Sequence, residues 1–250
     1  MFYDSPTLQG GKVYQFSQKD REVLRGLALE VKEAAADPRI EIRRQLWKSH
    51  NSLETKYPLM LVFPEGAWRE LIPDTSLRCE EESAREIELD LRKRLYKYDH
   101  FTDDSVIEDR WVVRKVIHNS GWGLEERWIP SSDPHGAKGF NPVLHEPADL
   151  QKLTFPTITY DKQASRYAAE HLKELFGDLL VVDLEGLKHI SYHLMAELTA
   201  LRGYQETMLD FCVQPQFIHD AMAFLEEGHR RLLEQYQAQN LFSLNNDNTY

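Results

Sequence analysis

The sequence predicts an α/β fold built on a parallel sheet. Two observations carry that expectation. Short apolar runs recur at 59–63, 110–116, 179–184 and 241–244. The stretches between the later runs hold helical segments of ten residues or more, the spacing of βαβ units. A doubly wound sheet and a barrel both satisfy this pattern.

Taken in order, residues 1–16 carry Pro and Gly without a clear period and read as an arm. Ser17 followed by Asp20 has the form of a helix N-cap with an acidic first turn. Val23, Leu24, Leu27, Leu29 and Val31 then predict a helix reaching the alanine run 34–36. Asp37 as cap and Pro38 at the first helical position start a second helix. It carries Ile40, Ile42, Leu46 and Trp47 to about Asn51. Tyr57 and Pro58 break the pattern, and the continuously apolar run 59–63 reads as a strand buried on both faces. Pro64, Glu65 and Gly66 end it.

Residues 81–100 are helical by composition, and 110–116 form the next strand. The Gly-, Pro- and Ser-rich stretch 120–147 is longer than most loops in a compact domain, and such loops tend to be functional. Asp161 caps a helix running to Phe176. A strand over 179–184 ends at Glu185 and Gly186. Helical pattern resumes over 191–211 with a break near Arg202 and Gly203, and again from Pro215 through Phe217, Ile218, Met222, Leu225, Leu232 and Leu233. The run 241–244 is the fourth strand.

Acidic residues exceed basic ones by 11, which argues against a nucleic-acid partner. Two cysteines, Cys79 and Cys212, with no CxxC pair suggest a reducing compartment rather than a disulfide framework. Residues 1–12 lack a signal-peptide pattern, and no apolar run is long enough to span a bilayer. A soluble, cytoplasmic protein with no membrane partner is expected. A Gly-rich phosphate loop, a G-x-S-x-G elbow and a Cys–His nucleophile signature are all absent from the sequence.

Two stretches resemble a known family. The first is Phe140-Asn141-Pro142-Val143, then Glu146-Pro147-Ala148-Asp149-Leu150-Gln151-Lys152-Leu153 and Pro156. The second runs Leu201-Arg202-Gly203-Tyr204-Gln205-Glu206-Thr207-Met208-Leu209-Asp210 and on through Gln214-Pro215-Gln216-Phe217-Ile218-His219. Together with Val62-Phe63-Pro64-Glu65-Gly66-Ala67-Trp68 and Leu244-Asn245-Asn246-Asp247, their order resembles the uroporphyrinogen decarboxylase and corrinoid methyltransferase superfamily. The likeness is to its decarboxylase-like branch in anaerobic bacteria. Gln205 and Gln216 stand where acidic residues are frequent in that family.

The resemblance implies a (β/α)8 TIM barrel, a fold of about 250 residues or more. With about four strands by residue 250, it implies the N-terminal half of that barrel over 55–250, behind an arm and helical extension at 1–54. The missing half would then lie in further sequence or in a second chain. The implied activity is methyl transfer between a small methylated substrate and a corrinoid protein, with Zn²⁺ as Lewis acid. The alternatives are decarboxylation of a tetrapyrrole and a noncatalytic binding or assembly subunit. The family's arginine-rich carboxylate-binding motif is not matched around Arg43 and Arg44. The zinc ligands of the methyltransferase branch, a His-x-Cys pair and a distant Cys, are not matched at Cys79 or Cys212, so they would lie mostly beyond residue 250.

Barrel enzymes act at the carboxy-terminal ends of their strands, which selects three places. After the first run, Glu65 is a candidate catalytic acid and Trp68 a candidate substrate-stacking residue; a turn residue and a core anchor are their structural alternatives. Glu185 closes the third run as a substrate-binding candidate. His189 and His193, with Glu197 beyond, are spaced to share one helix face and so to grip zinc, or else to be structural histidines. After the last run, Asp247 is a catalytic candidate beside Asn245 and Asn246 as substrate-binding amides, with an Asx turn as the alternative. His135 and His145 in the long loop are candidate lid contacts.

Overall fold

A computed structural model describes residues 16–54, 57–125, 127–133 and 136–245. The fold is mixed α/β. Helices α1 (Gln18–Ala35), α2 (Pro38–Asn51), α3 (Trp68–Leu71) and α4 (Glu82–His100) come first. Strands β1 (Arg110–Arg114), β2 (Val116–Asn119), β3 (Arg127–Ile129), β4 (Gly139–Asn141) and β5 (Ile158–Asp161) follow. Then come α5 (Lys162–Phe176), β6 (Val181–Glu185), α6 (Leu194–Arg202), α7 (Tyr204–Val213) and α8 (Pro215–Ala238). The strands pair two by two: β1 with β6, β2 with β5, β3 with β4. Among the described residues no closed barrel forms.

The chain divides into two compact units. The first holds the described residues up to Val116, together with Lys162–Gly186 and residues 244 and 245. Its helices begin where local chemistry dictates. Ser17 and Asp20 form a reciprocal capping box on α1, and Asp37 accepts from the Arg39 amide ahead of Pro38 on α2. Leu24, Leu27, Ala28 and Val31 form the buried face of α1 and share one core with Ile87 and Leu91 of α4, Trp111 and Val113 of β1, and Leu172 and Phe176 of α5. Each Leu, Val, Ile or Phe among them contributes about 1.5–3 kcal/mol on burial. The helices of residues 18–51 are therefore part of this core. Glu88, fully buried, is satisfied by the amides of Arg78 and Cys79 and by Arg92. Burial alone would raise its pKa, but those bonds outweigh it and hold the carboxyl below its ordinary range.

The run 59–63 is not a strand. The Met60 amide donates to Asp104 Oδ2 (2.8 Å), the Val62 amide to Asp103 Oδ2 (2.9 Å), and the Asp104 amide to the Met60 carbonyl (2.8 Å). Two carboxylates thus occupy donors that a sheet ladder would use. Met60, Val62 and Phe63 are exposed rather than buried on both faces.

The second unit comprises Ile117–Asp161 and Leu187–Ser243. The stretch 120–147 is not a featureless loop: β3 and β4 form an antiparallel hairpin with Trp128 opposite Phe140. The run 241–244 makes only an isolated parallel bridge, Phe242 to Leu187, through bonds from the Leu187 amide to the Leu241 carbonyl and from the Ser243 amide to the Leu187 carbonyl (both 2.8 Å).

Both stretches that resemble family motifs serve packing in this unit. Arg202 donates from Nε and Nη2 to Asp210 (2.8 and 3.2 Å) and from Nη1 to the carbonyls of Leu144 (3.1 Å) and His145 (2.5 Å). Gly203, at φ +91°, lets α6 turn directly into α7. On the amide side, Asp149 accepts from His145 and Glu146 and pairs with Lys152 at 2.5 Å. The two motifs therefore hold the same short segment from its carbonyls and from its amides. Gly228 of α8 packs under Trp122, where a Cβ would lie 2.3 Å from the indole ring.

Candidate functional site

β1 and β6 run parallel, with Arg110 opposite Val181, Val112 opposite Asp183 and Arg114 opposite Glu185. Side chains alternate along a strand, so Arg110, Arg114, Asp183 and Glu185 share one face. The opposite face turns Trp111 and Val113 into the core of the first unit. The result is a charged surface on a sheet whose other side is apolar, ending at the carboxy termini of two parallel strands.

The two arginines on this face differ in their bonding. Arg110 Nη2 donates to Asp183 Oδ2 (2.8 Å) and Glu185 Oε1 (2.6 Å). Burial works to lower its pKa, but bonds to Asp183 and Glu185 outweigh that and raise it above its ordinary value. Arg110 is thus a fixed clamp between two carboxylates. Arg114 reaches the Gly186 carbonyl at 3.3 Å and Glu185 Oε2 only at 3.7 Å, both from Nη1. A guanidinium has five N–H donors in a fork that fits carboxylate and phosphate. Arg114 is one-third exposed, so it keeps donors for an anionic group.

Glu185 is the one sequence-selected residue that belongs to this cluster. Arg110, Arg114 and Asp183 were missed, although a spacing of four within one strand and of two within the other already puts each pair on one face. Glu65 lies elsewhere, exposed at the start of a 3₁₀ turn with φ +52°. Trp68 is half-buried against Tyr96 (5.8 Å, edge-on) and Phe101 (6.1 Å, stacked), with Lys93 Nζ 5.8 Å from its ring. That is an anchor for α4. Burial pushes Lys93 and Lys97 below the ordinary lysine range there, against the opposing pull of Asp90 and Asp103.

The zinc grip does not form at His189 and His193. α6 begins only at Leu194, so the two do not share a helix face: His193 is the N-cap and His189 precedes the helix. His189 Nε2 instead meets Ser191 Oγ at 2.8 Å. Glu197 meets His229 of α8 at 2.8 Å, a pair 32 residues apart that spacing along one helix gave no reason to expect. Among the described residues no group of three His, Cys, Asp or Glu side chains is arranged to hold a metal ion. Asn245 is exposed outside any strand. Asn246, Asp247 and His135 lie outside the described residues. His145 is held through its backbone, by Arg202 and Asp149, at the junction of the two motifs.

Family models, curated proteins and solved structures were all compared with the chain. None matches. Among the described residues no helix is long and apolar enough to cross a membrane. The site must therefore be read from its own chemistry: a clamped arginine, a neighbouring arginine with donors to offer, and two carboxylates.

Proposed function

We propose that β1 and β6 are neighbouring strands of a uroporphyrinogen decarboxylase-type (β/α)8 barrel, and that the protein transfers a methyl group from a small methylated substrate to a corrinoid protein. The observation that carries the barrel reading is the packing of β1, α5 and β6: two parallel strands with a helix on their apolar side and charged residues on the other, the chain passing through β2–β5 before it reaches α5. In such a barrel the face away from the helices points inward, and its carboxy-terminal rim is where chemistry is done. Arg114 and Glu185 stand at that rim. Methyl transfer itself rests on the order of the family-like stretches. The described histidines do not fit the implied zinc ion, so no step is routed through it.

The test is methylation of cob(I)alamin by the purified protein, followed as methylcobalamin absorbance, with methylamines, O-methyl aromatics and methanol as donors. Turnover with one of them supports the reading, and no turnover with any sinks it. A specific observation favours a second reading, decarboxylation of a carboxylate-bearing substrate: Arg114 has donors suited to a carboxylate. Release of CO2 from a tetrapyrrole carboxylate, with a raised KM in Arg114→Gln, would select that activity instead.

A further inference from the structure

A groove of about 350 Å³ opens in the second unit, with one wall on the β3–β4 hairpin and the other on α6 and α7. Trp128 and Phe140 form the hairpin wall; Met195, Thr199, Tyr204 and Met208 are on the helical side, with Ala196 and Thr207. Among the described residues no charged side chain lines it. Two of its three hydroxyls are committed to their own helices: Thr199 Oγ1 donates to the Met195 carbonyl (2.6 Å) and Thr207 Oγ1 to the Gly203 carbonyl (2.7 Å). Among the described residues Tyr204 is thus the one lining side chain with a hydroxyl to offer a ligand.

We propose that this groove binds a neutral aromatic ligand of one or two rings carrying at most one weak acceptor, such as an aryl ether. The lining selects it in three ways. Trp128 and Phe140, 5.0 Å apart with rings tilted, and Tyr204 opposite them provide π surfaces from both walls. Met195 and Met208 add polarisable thioethers that adapt to ring edges. The uncharged lining, with its electron-rich ring faces, gives a carboxylate nothing to replace its lost hydration. Size agrees, since a dry apolar cavity of about 150 Å³ holds a single benzene ring. This inference does not depend on the barrel reading, because every residue involved lies within the second unit.

The experiment is equilibrium dialysis of the whole protein against 2-methoxynaphthalene, with 2-naphthoate as the charged counterpart of similar size. One methoxynaphthalene per chain is expected, with naphthoate weaker by about tenfold or more. Met208→Asp puts a charge into the groove at a half-exposed position and is expected to reduce methoxynaphthalene affinity by about tenfold or more. Glu234→Gln, exposed on α8 and outside the groove, is expected to leave affinity within about twofold. Should Met208→Asp lose its helical circular dichroism, Trp128→Ala on the opposite wall takes its place with the same expectation. Equal binding of the two probes, or full affinity in the wall variants, overturns the proposal. So does self-association of the wild type that Met208→Asp abolishes, because a second copy would then occupy the groove.

Discussion

Consider Arg202→Met. The substitution keeps much of the aliphatic stem but removes both bonds to Asp210 and both bonds to the carbonyls of Leu144 and His145. The pair is nearly dry, with side-chain exposures of 8% and 3%. The Asp210 carboxylate would be left inside with only a long bond from Gln214 (3.3 Å). Removing one member of a buried pair costs about 3–5 kcal/mol, and the two abandoned carbonyls favour the upper end of that range. Against a typical stability of about 5–15 kcal/mol, that is a large share. Urea unfolding of the whole protein, followed by circular dichroism, reads the effect as a lower midpoint at unchanged slope. Replacing both partners, Arg202→Met with Asp210→Leu, is expected to restore most of the loss, because no buried charge is then uncompensated. The exposed Arg44–Glu41 pair of α2 is the control, whose removal is expected to leave the midpoint essentially unchanged. A loss below about 1 kcal/mol in Arg202→Met would refute the idea that this motif is a structural staple.

Three further outcomes follow from named contacts. Asp149 is held down to about 2, first by Lys152 and then by the His145 and Glu146 amides. Because its folded pKa is below the unfolded one, it stabilises the fold above about pH 4 and that contribution fades as pH falls through about 2; the stability gap between wild type and Asp149→Asn should close over that window in an acid titration, and a pH-independent gap contradicts the assignment. Gly228→Ala drives a methyl into Trp122 at 2.3 Å; a cost of about 1–3 kcal/mol and a shifted tryptophan emission are expected, whereas unchanged thermal unfolding would mean that the indole is not seated on the helix. Replacing His189 and His193 by Ala should leave the zinc content of the purified protein unaltered by elemental analysis, and a loss of bound zinc would restore the metal grip that their positions argue against.

Much of the helical framework was legible because its determinants are local. The Ser17–Asp20 box, the Asp37 cap with Pro38 behind it, and the break at Gly203 each act within a few residues, and each helix end falls where they put it. The candidate site was half legible. Glu185 was selected as a strand-end carboxylate, while its partners required knowing that β6 lies against β1 in a register placing Arg114 opposite Glu185. Strand alternation alone would have grouped Arg110 with Arg114 and Asp183 with Glu185, but not the two pairs with one another.

By itself, then, the sequence determined the alternation of helices with short apolar segments, the positions of most helix ends, and the absence of a continuous membrane-length apolar stretch. Only the tertiary structure decided which apolar segments become strands. Residues 59–63 have a strand's composition, yet Asp103 and Asp104, more than forty residues on, take up their amides. His189 and His193 have a helix's spacing, yet α6 begins only at Leu194, with His189 outside it and bonded to Ser191. For 59–63 the deciding partners are remote in sequence, and hydrogen bonds to a distant segment outweigh a local preference worth only fractions of a kcal/mol per residue.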